Sequence, residues 1–357
     1  MRRFWYWINN IEGIGNSKIR RLLAVYGEPE RVYRAKEGEL MAIGGLTEKD
    51  IYNILSEKVR KDIFFNYDKA EKKGENFVFP IEDGYPHKLK ELYDRPNILY
   101  YKGKLPENNK YSVAIVGSRR CSDYGRHVAM EMAGVMAKAG VNVISGLAMG
   151  IDTEAHKGAV YSGGNTYAVL AGGVDKCYPA GNFNLYMDII GKGGIISEYP
   201  PNTLTTPGMF PLRNRIISGM SDAVIVVEAG AKSGSLITAA CALEQNRLVY
   251  AVPGRIGEPM GKGCNELIAE GAMVITDYDT VLKDLGLSYE IEEKNNIGLA
   301  SNEKMLYSLL LDFIPRSLET IIRESGLGAD VAVKGLISLE MNGYIREKSK
   351  NFYVRIR

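Results

Sequence analysis

The chain has 357 residues, 45% apolar and 25% charged, with 45 lysines and arginines against 43 aspartates and glutamates. That length implies two or three domains of roughly 100–200 residues, and the composition excludes a disordered chain, a collagen and a disulfide scaffold. The net charge of +2, considered by itself, argues against a nucleic-acid partner, because phosphate binders usually carry a basic excess.

No apolar run reaches the ~18–20 residues of a membrane span. The N-terminal Phe4-Trp5-Tyr6-Trp7-Ile8 stops at Asn9-Asn10, too soon for a secretory leader. Cys121, Cys177, Cys241 and Cys264 lack CxxC spacing, and His87, His127 and His156 lie far apart, so neither disulfides nor a zinc site is indicated. The expectation is a cytoplasmic protein without metal or cofactor.

Residues 1–66 read as a small helical domain. Ile11-Glu12-Gly13-Ile14-Gly15 precedes a helix over Ser17–Tyr26, and Ile43-Gly44-Gly45-Leu46 precedes one over Thr47–Leu55, with Thr47 as N-cap. The Gly-Ile-Gly turn resembles a helix-hairpin-helix, whose free amides can hold a phosphate. A tight turn between packed helices accounts for the same residues.

Residues 67–286 alternate apolar runs with helical stretches. Strands are expected at Val113–Val116, Val141–Ile144, Tyr167–Leu170, Gly194–Ser197, Ala223–Val227, Leu248–Val252 and Met273–Thr276. Helices are expected at Gly125–Lys138, Asp152–Tyr161, Leu185–Ile190, Arg213–Met220, Ser235–Gln245 and Asn265–Ala269. Near-continuous apolar strands are covered on both faces, and this alternation means βαβ units around a parallel sheet. The fold class is α/β, with a parallel-sheet core.

Residues 287–302, with Glu290, Glu292, Glu293, Lys294, Asn295 and Asn296, read as a polar linker. Residues 303–357 show helical patterns at Glu303–Phe313, Leu318–Ser325 and Ala329–Met341. Two alternating stretches follow, Gly343–Arg346 and Phe352–Ile356, about a turn at Lys348–Asn351. Three helices and a hairpin make a winged helix. Its basic tail suits a DNA-contacting wing, and a protein-interaction module equally.

In an open parallel sheet, ligands bind beyond the carboxyl ends of the strands. The segments there are rich in glycine and serine: Gly117-Ser118-Arg119-Arg120, Ser145–Asp152, Ala171-Gly172-Gly173, Glu228–Ser235 and Pro253-Gly254-Arg255. They permit close backbone approach and place helix N-termini at one edge, a surface suited to phosphate. No GxGxxG follows the first of these strands. Gly257–Gly263 is one residue short of a P-loop and lacks Ser or Thr after Lys262. Hydride transfer and P-loop hydrolysis lose their usual machinery. Arg119 and the run Phe210-Pro211-Leu212-Arg213-Asn214-Arg215 add guanidiniums, an amide and an aromatic face. Bidentate phosphate contacts plus base stacking hold single strands without sequence readout. Any one of these arginines is equally explained by a surface ion pair. Asp152 is explained by helix capping, and His156, four residues later, can face it. Ser145 is a nucleophile on position alone. Glu228 is placed to organise the Ser233-Gly234-Ser235 turn. No acid–base pair emerges.

The chain resembles the DNA-processing protein A (DprA/Smf) family over about residues 80–280. The resemblance rests on Ile115-Val116-Gly117-Ser118-Arg119, Ser145-Gly146-x-Ala148-x-Gly150-Ile151-Asp152, Tyr178-Pro179, Phe210-Pro211-x-Arg213-Asn214-Arg215 and Ser233-Gly234-Ser235-Leu236. It implies an extended Rossmann core, a SAM-like or helix-hairpin-helix domain before it and a winged helix after it. It also implies a non-enzymatic single-stranded DNA binder that dimerises through the core and loads RecA recombinase in natural transformation. The expected DNA site comprises Gly117, Ser118, Arg119, Arg120, Gly146, Phe210, Arg213, Asn214, Arg215, Lys232, Ser233, Gly234 and Ser235. Pro207 and Ala180 stand where some members carry lysines, which implies either weaker phosphate contact or substitution by Arg120, Lys176 or Lys232. Two rivals remain: a nucleotide hydrolase of the lysine-decarboxylase-like (LOG) fold, although its PGGxGTxxE motif is missing, and a scaffold acting through its end domains.

Overall fold

The computed structural model describes residues 1–287, 299–310 and 315–355. The chain forms two compact units, Met1–Tyr289 and Glu290–Arg357.

The first unit opens with six helices: α1 (Arg2–Asn10), α2 (Asn16–Tyr26), α3 (Pro29–Arg34), α4 (Glu37–Met41), α5 (Glu48–Arg60) and α6 (Asp62–Lys73). Thr47 caps α5 through a capping box in which its Oγ1 accepts from the Asp50 amide and Asp50 accepts from the Thr47 amide. Gly13 turns the chain into α2 at φ +76, a conformation that glycine adopts without a Cβ penalty. Trp7, Tyr33 and Phe64 pack edge and face within these helices. The same core continues into Phe77, Phe79, Ile98 and Tyr100, so the helices share their apolar interior with the sheet.

The sheet comprises β1 (Asn76–Val78), β2 (Leu99–Gly103) after the one-turn α7 (His87–Lys90), β3 (Ser112–Val116), β4 (Asn142–Ser145), β5 (Thr166–Val169), β6 (Gly194–Ser197), β7 (Ala223–Val226), β8 (Leu248–Ala251) and β9 (Met273–Val274). Among the described residues this sheet has nine strands, in the order β1-β2-β6-β5-β4-β3-β7-β8-β9. β3 to β9 pair in parallel, and β1 and β2 extend the β6 edge antiparallel. All seven expected strands are present. β1 and β2 have no counterpart among the sequence expectations, because their short runs are set by pairing on β6 rather than by a long apolar pattern.

The crossovers are α8 (Asp123–Lys138), α9 (Ile151–Tyr161), α10 (Phe183–Lys192), α11 (Met209–Gly219), α12 (Gly234–Glu244) and α13 (Lys262–Ala269), with α14 (Thr280–Asp284) last. Alternate β3 residues enter opposite layers. Val113 and Ile115 pack with α8 and α9, whereas Ala114 and Val116 pack with α11 and α12. α11 begins at Met209, a full turn before the expected Arg213, and so carries Phe210 on its first turn.

The second unit contains α15 (Ser301–Leu309), β10 (Arg316–Ser317), α16 (Leu318–Ser325), α17 (Ala329–Met341), β11 (Ile345–Ser349) and β12 (Phe352–Arg355). Its sheet order is β10-β12-β11, over a core that includes Leu306, Ile321, Leu336, Leu339 and Ile345. Most of the expected linker, the end of the helix expected to reach Phe313, and Ile356 lie outside the described residues. Among the described residues, no helix is long and apolar enough to cross a membrane.

Candidate nucleic-acid interface

β3 and β7 are neighbours, with Val116 opposite Val226. The chain leaves β3 towards β4 on one side and returns to β7 on the other through α11. That reversal opens a crevice at the carboxyl ends of the strands. A cavity of about 300 Å³ occupies it, lined by Gly117, Arg119, Phe210, Arg213, Asn214 and the Ser233–Ser235 turn, among others.

Arg213 forms its floor. The side chain is buried, and Nη1 donates to the Gly146 carbonyl at 2.8 Å and to the Val169 carbonyl, tying together the segments that leave β4 and β5. Burial lowers its pKa to about 10, and Arg119 pushes the same way, against the pull of Asp152. The guanidinium therefore stays charged at neutral pH. A Cβ on Gly146 would lie 2.5 Å from the Arg213 guanidinium, which is why a glycine stands there. Gly117 is equally constrained, since a Cβ would meet Ile151 at 2.6 Å and the Glu228 carbonyl at 2.9 Å.

The cavity wall sets hydrogen-bonding groups among apolar side chains such as Ile217 and Ile237. Asn214 Nδ2 donates to the Gly234 carbonyl at 3.2 Å, joining α11 to the start of α12. Ser233 caps α12 and shares a 2.8 Å hydrogen bond with the Ser235 hydroxyl. The positive end of the α12 dipole thus faces the cavity beside Arg213.

Arg119 stands at the mouth. It is exposed, its guanidinium carbon lies 4.8 Å above the Phe210 ring centroid, and among the described residues it joins no ion pair. The ring holds the cation in place without neutralising it, leaving its donors free for an anion.

The other expected residues fall elsewhere. Ser118 is buried; its amide donates to the Glu228 carbonyl at 2.7 Å and its Oγ accepts from the Arg120 amide at 3.1 Å, so it shapes the turn. The Arg120 and Lys232 side chains are exposed at the rim segments, as is Lys176. Arg215 points away from the cavity: residues two apart on a helix are rotated by roughly 200°. Its Nη2 donates to both Glu198 oxygens at 2.7 and 2.6 Å, and its Nε lies 3.4 Å from Asp94.

The carboxylates also differ from expectation. Asp152 does not cap its helix; Gly150 is the cap residue, and Asp152 accepts from the Gly146 and Ala148 amides at 3.1 and 3.4 Å. Burial raises its pKa, opposed first by Arg213. Glu228 organises α8 rather than the Ser233-Gly234-Ser235 turn. It accepts from the Ser122 amide at 2.8 Å, Ser122 caps α8, and a Cβ on Gly125 would collide with the Glu228 carboxylate. His156 bonds Thr166 at 2.7 Å, and burial drives its pKa down to about 3. Ser145 donates to the Ile115 carbonyl at 2.7 Å. Ser145 also contributes a side-chain hydrogen bond to Asp152, while His156 is turned to Thr166 instead.

Beyond Arg119 and Phe210 lies a second recess of about 70 Å³, bordered by Met149, Tyr178 and Pro179. Tyr178 is 53% exposed, and its ring centroid lies 6.0 Å from that of Phe210 at 46°. Neither Met149 nor Tyr178 is among the expected site residues. Their signal in the sequence is weak, an aromatic before a proline and a methionine in a glycine-rich turn.

The fold and the cavity define a doubly wound α/β protein with an arginine-floored cavity at its topological switch point. The chain belongs to the DNA recombination-mediator protein A family, whose model matches residues 76–286. It is 38% identical over 278 residues to the DNA processing protein DprA of Streptococcus pneumoniae, covering 76% of this chain and 94% of that one. It is 34% identical over 325 residues to protein Smf of Escherichia coli, covering 88% and 86%. The X-ray structure of the S. pneumoniae protein superimposes with a TM-score of 0.69 at 33% identity, covering 81% of this chain and 99% of that one. A structure described for the single-stranded DNA binding mode of DNA processing protein A from Helicobacter pylori matches with a TM-score of 0.52 at 29% identity, covering 59% and 95%.

Proposed function

We propose that this protein binds single-stranded DNA at the switch-point cavity and acts as a recombination mediator, handing the strand to RecA recombinase during natural transformation. The observation that carries the reading is Arg119: an exposed, unneutralised guanidinium parked on Phe210 above a cavity floored by Arg213 and the start of α12. Gly117, Gly146, Asn214 and Ser233–Ser235 shape the phosphate seat. Arg120 and Lys232 supply longer-range attraction at the rim. Arg215 holds the fold, as its two carboxylate partners require. The H. pylori relative's described binding mode supports the choice of single-stranded DNA.

The reading extends to a protein without catalytic residues, dimeric through its Rossmann core and working in the cytoplasm. We place its domains at 1–66 (SAM-like or helix-hairpin-helix), 67–286 (core) and 303–357 (winged helix), joined by a linker at 287–302. The helix, strand, two-helix and hairpin order of the second unit supports the winged-helix assignment.

Anisotropy of a labelled oligothymidylate tests the site. Affinity should fall steeply with salt as phosphate counterions are released. Arg119→Glu should weaken binding by about 100-fold, the effect of turning a charge-assisted contact into a repulsive one. Parent-like binding by Arg119→Glu would remove this cavity from consideration.

A further inference from the structure

Several cations of this protein lie over aromatic rings, and most of them have other partners as well. Arg2 and Arg3 also hold carboxylates, Arg213 and Arg355 donate to carbonyls, and the Lys102 ammonium stands 6.0 Å from the ring of the buried Tyr186. Two arginines differ. Among the described residues, Arg119 on Phe210 and Arg20 on Tyr93 meet neither a carboxylate nor a hydrogen-bond acceptor. Arg20 lies on α2, in the N-terminal helices, with its guanidinium carbon 4.9 Å from the Tyr93 ring centroid. Its Nη1 is buried without an acceptor, so packing and the ring alone hold this guanidinium.

The neighbouring helices make this a local exception. Arg31 pairs with Glu28 and Arg34 with Glu30 at α3, and Arg60 pairs with Glu57 on α5, the spacing that supports an exposed helix. By contrast, α2 carries Lys18, Arg20 and Arg21 and no acid. Lys18 pairs with Asp50 at 2.6 Å, and Arg21 donates to the Gly44 carbonyl at 3.1 Å. Tyr93 has little part in folding, because 89% of it is exposed. The acids beside it have cations of their own: Asp94 lies 3.4 Å from Arg215, and Glu91 lies 4.0 Å from Arg247. An exposed ring backed by an unneutralised guanidinium suits a base joined to a phosphate.

One helix separates this surface from the cavity. Asp94, next to Tyr93, accepts from Arg215, and Arg213, two residues earlier on α11, floors the cavity. A helix is about 10–12 Å across, and phosphates of one strand follow each other at about 3.4 Å, so roughly three nucleotides bridge the gap. Resting on the single-strand reading above, we infer that Arg20 and Tyr93 form a second nucleic-acid platform, by which the N-terminal helices hold the strand after it leaves the cavity. Tyr93 stacks a base, and Arg20 contacts a flanking phosphate. Stacking reads no base edge, so the platform tolerates any sequence.

The test uses the full chain and two labelled oligothymidylates titrated to millimolar strand: one of about 4 nucleotides, the low end of a single site, and one of about 20. Tyr93→Ala and Arg20→Ala should each weaken the longer strand by about tenfold, the effect of one stacked base or one charge-assisted contact. Both should bind the shorter strand within about twofold of the parent, and Tyr93→Phe should match the parent on both. Arg20→Ala should also lower the salt slope for the longer strand by about 0.7, the share of one phosphate. If both alanine variants bind the longer strand as the parent does while Arg119→Glu abolishes binding, the platform fails and the cavity stands. Equal weakening of both strands by Tyr93→Ala also overturns it, because the effect then passes through the cavity. If the parent binds neither strand, the single-strand reading itself falls.

Discussion

Arg213 and Arg215 sit two residues apart on α11, both largely buried, and the two faces of that helix put them to opposite uses. Arg215 is closed off: Glu198 grips it with both oxygens, Asp94 approaches from the other side, and Asn16 of α2 donates to the same Glu198 carboxylate. That seam sets two carboxylates against one guanidinium, so Arg215 has no charge left to offer, and it ties the N-terminal helices to the sheet. Arg213 instead donates to carbonyls, and the carboxylate that acts on it, Asp152, is already occupied by two backbone amides. With Arg119 above it, the cavity keeps an excess of positive charge. An arginine becomes a ligand site according to where the fold sends the carboxylates, not according to how many arginines the helix carries.

The sharpest way to break this comparison is to remove each arginine. Arg213→Ala leaves two carbonyls and the buried Asp152 without their partner, and should cost about 3–5 kcal/mol in urea titration and abolish single-strand binding. Arg215→Ala leaves Glu198 at a partly solvated seam and should cost about 1–3 kcal/mol with affinity held within about threefold. Comparable binding defects in the two variants would erase the distinction between the faces. Arg119→Glu should be the mirror of Arg215→Ala, with strong loss of binding and stability within about 0.5 kcal/mol of the parent, as expected for a surface position.

Glycines at the two ends of the cavity sharpen the point. Gly146→Ala drives a Cβ to 2.5 Å from Arg213 and should cost about 1–3 kcal/mol by overpacking. Gly234→Ala meets nothing within 4 Å, and its melting temperature should not move.

A further effect concerns pH. His156 is neutral in the folded chain down to about pH 3, whereas unfolding restores an ordinary imidazole near 6.5. Between these values the unfolded state binds a proton that the folded state does not, so stability falls as pH falls, by up to about 1.4 kcal/mol per pH unit. Asp152, with its raised pKa, works in the opposite sense at the acid end, where the folded state holds the proton. His156→Gln should flatten the loss between pH 6.5 and 5 in thermal melts; an unchanged slope would assign it to other groups.

Much of the core was legible in advance. Six largely buried strands, β3 to β8, announced themselves as apolar runs, because a strand covered on both faces has no polar side to hide. Thr47 declared its helix start through local hydrogen-bonding chemistry. Gly117, Arg119, Phe210, Arg213 and the Ser233–Ser235 turn met at one cavity because strand ends on a parallel sheet share one edge. β1, β2, Tyr178 and the roles of Glu228 and Asp152 were not legible. Each depends on a partner between 4 and 120 residues distant that no local pattern names.

The near-balance of 45 cations against 43 anions shows how the two levels divide. The sequence by itself determined the α/β alternation, the glycine-rich edge and the arginines stationed on it, since periodicity and turn chemistry are local properties. Only the tertiary structure decided which arginine remains a free cation, because neutralisation acts over a few ångströms between residues far apart in the chain. Folding spent Glu198 and Asp94 on Arg215 and left Arg119 resting on an aromatic ring, and that allocation leaves a discrete unpaired cation at the cavity mouth of a nearly neutral protein.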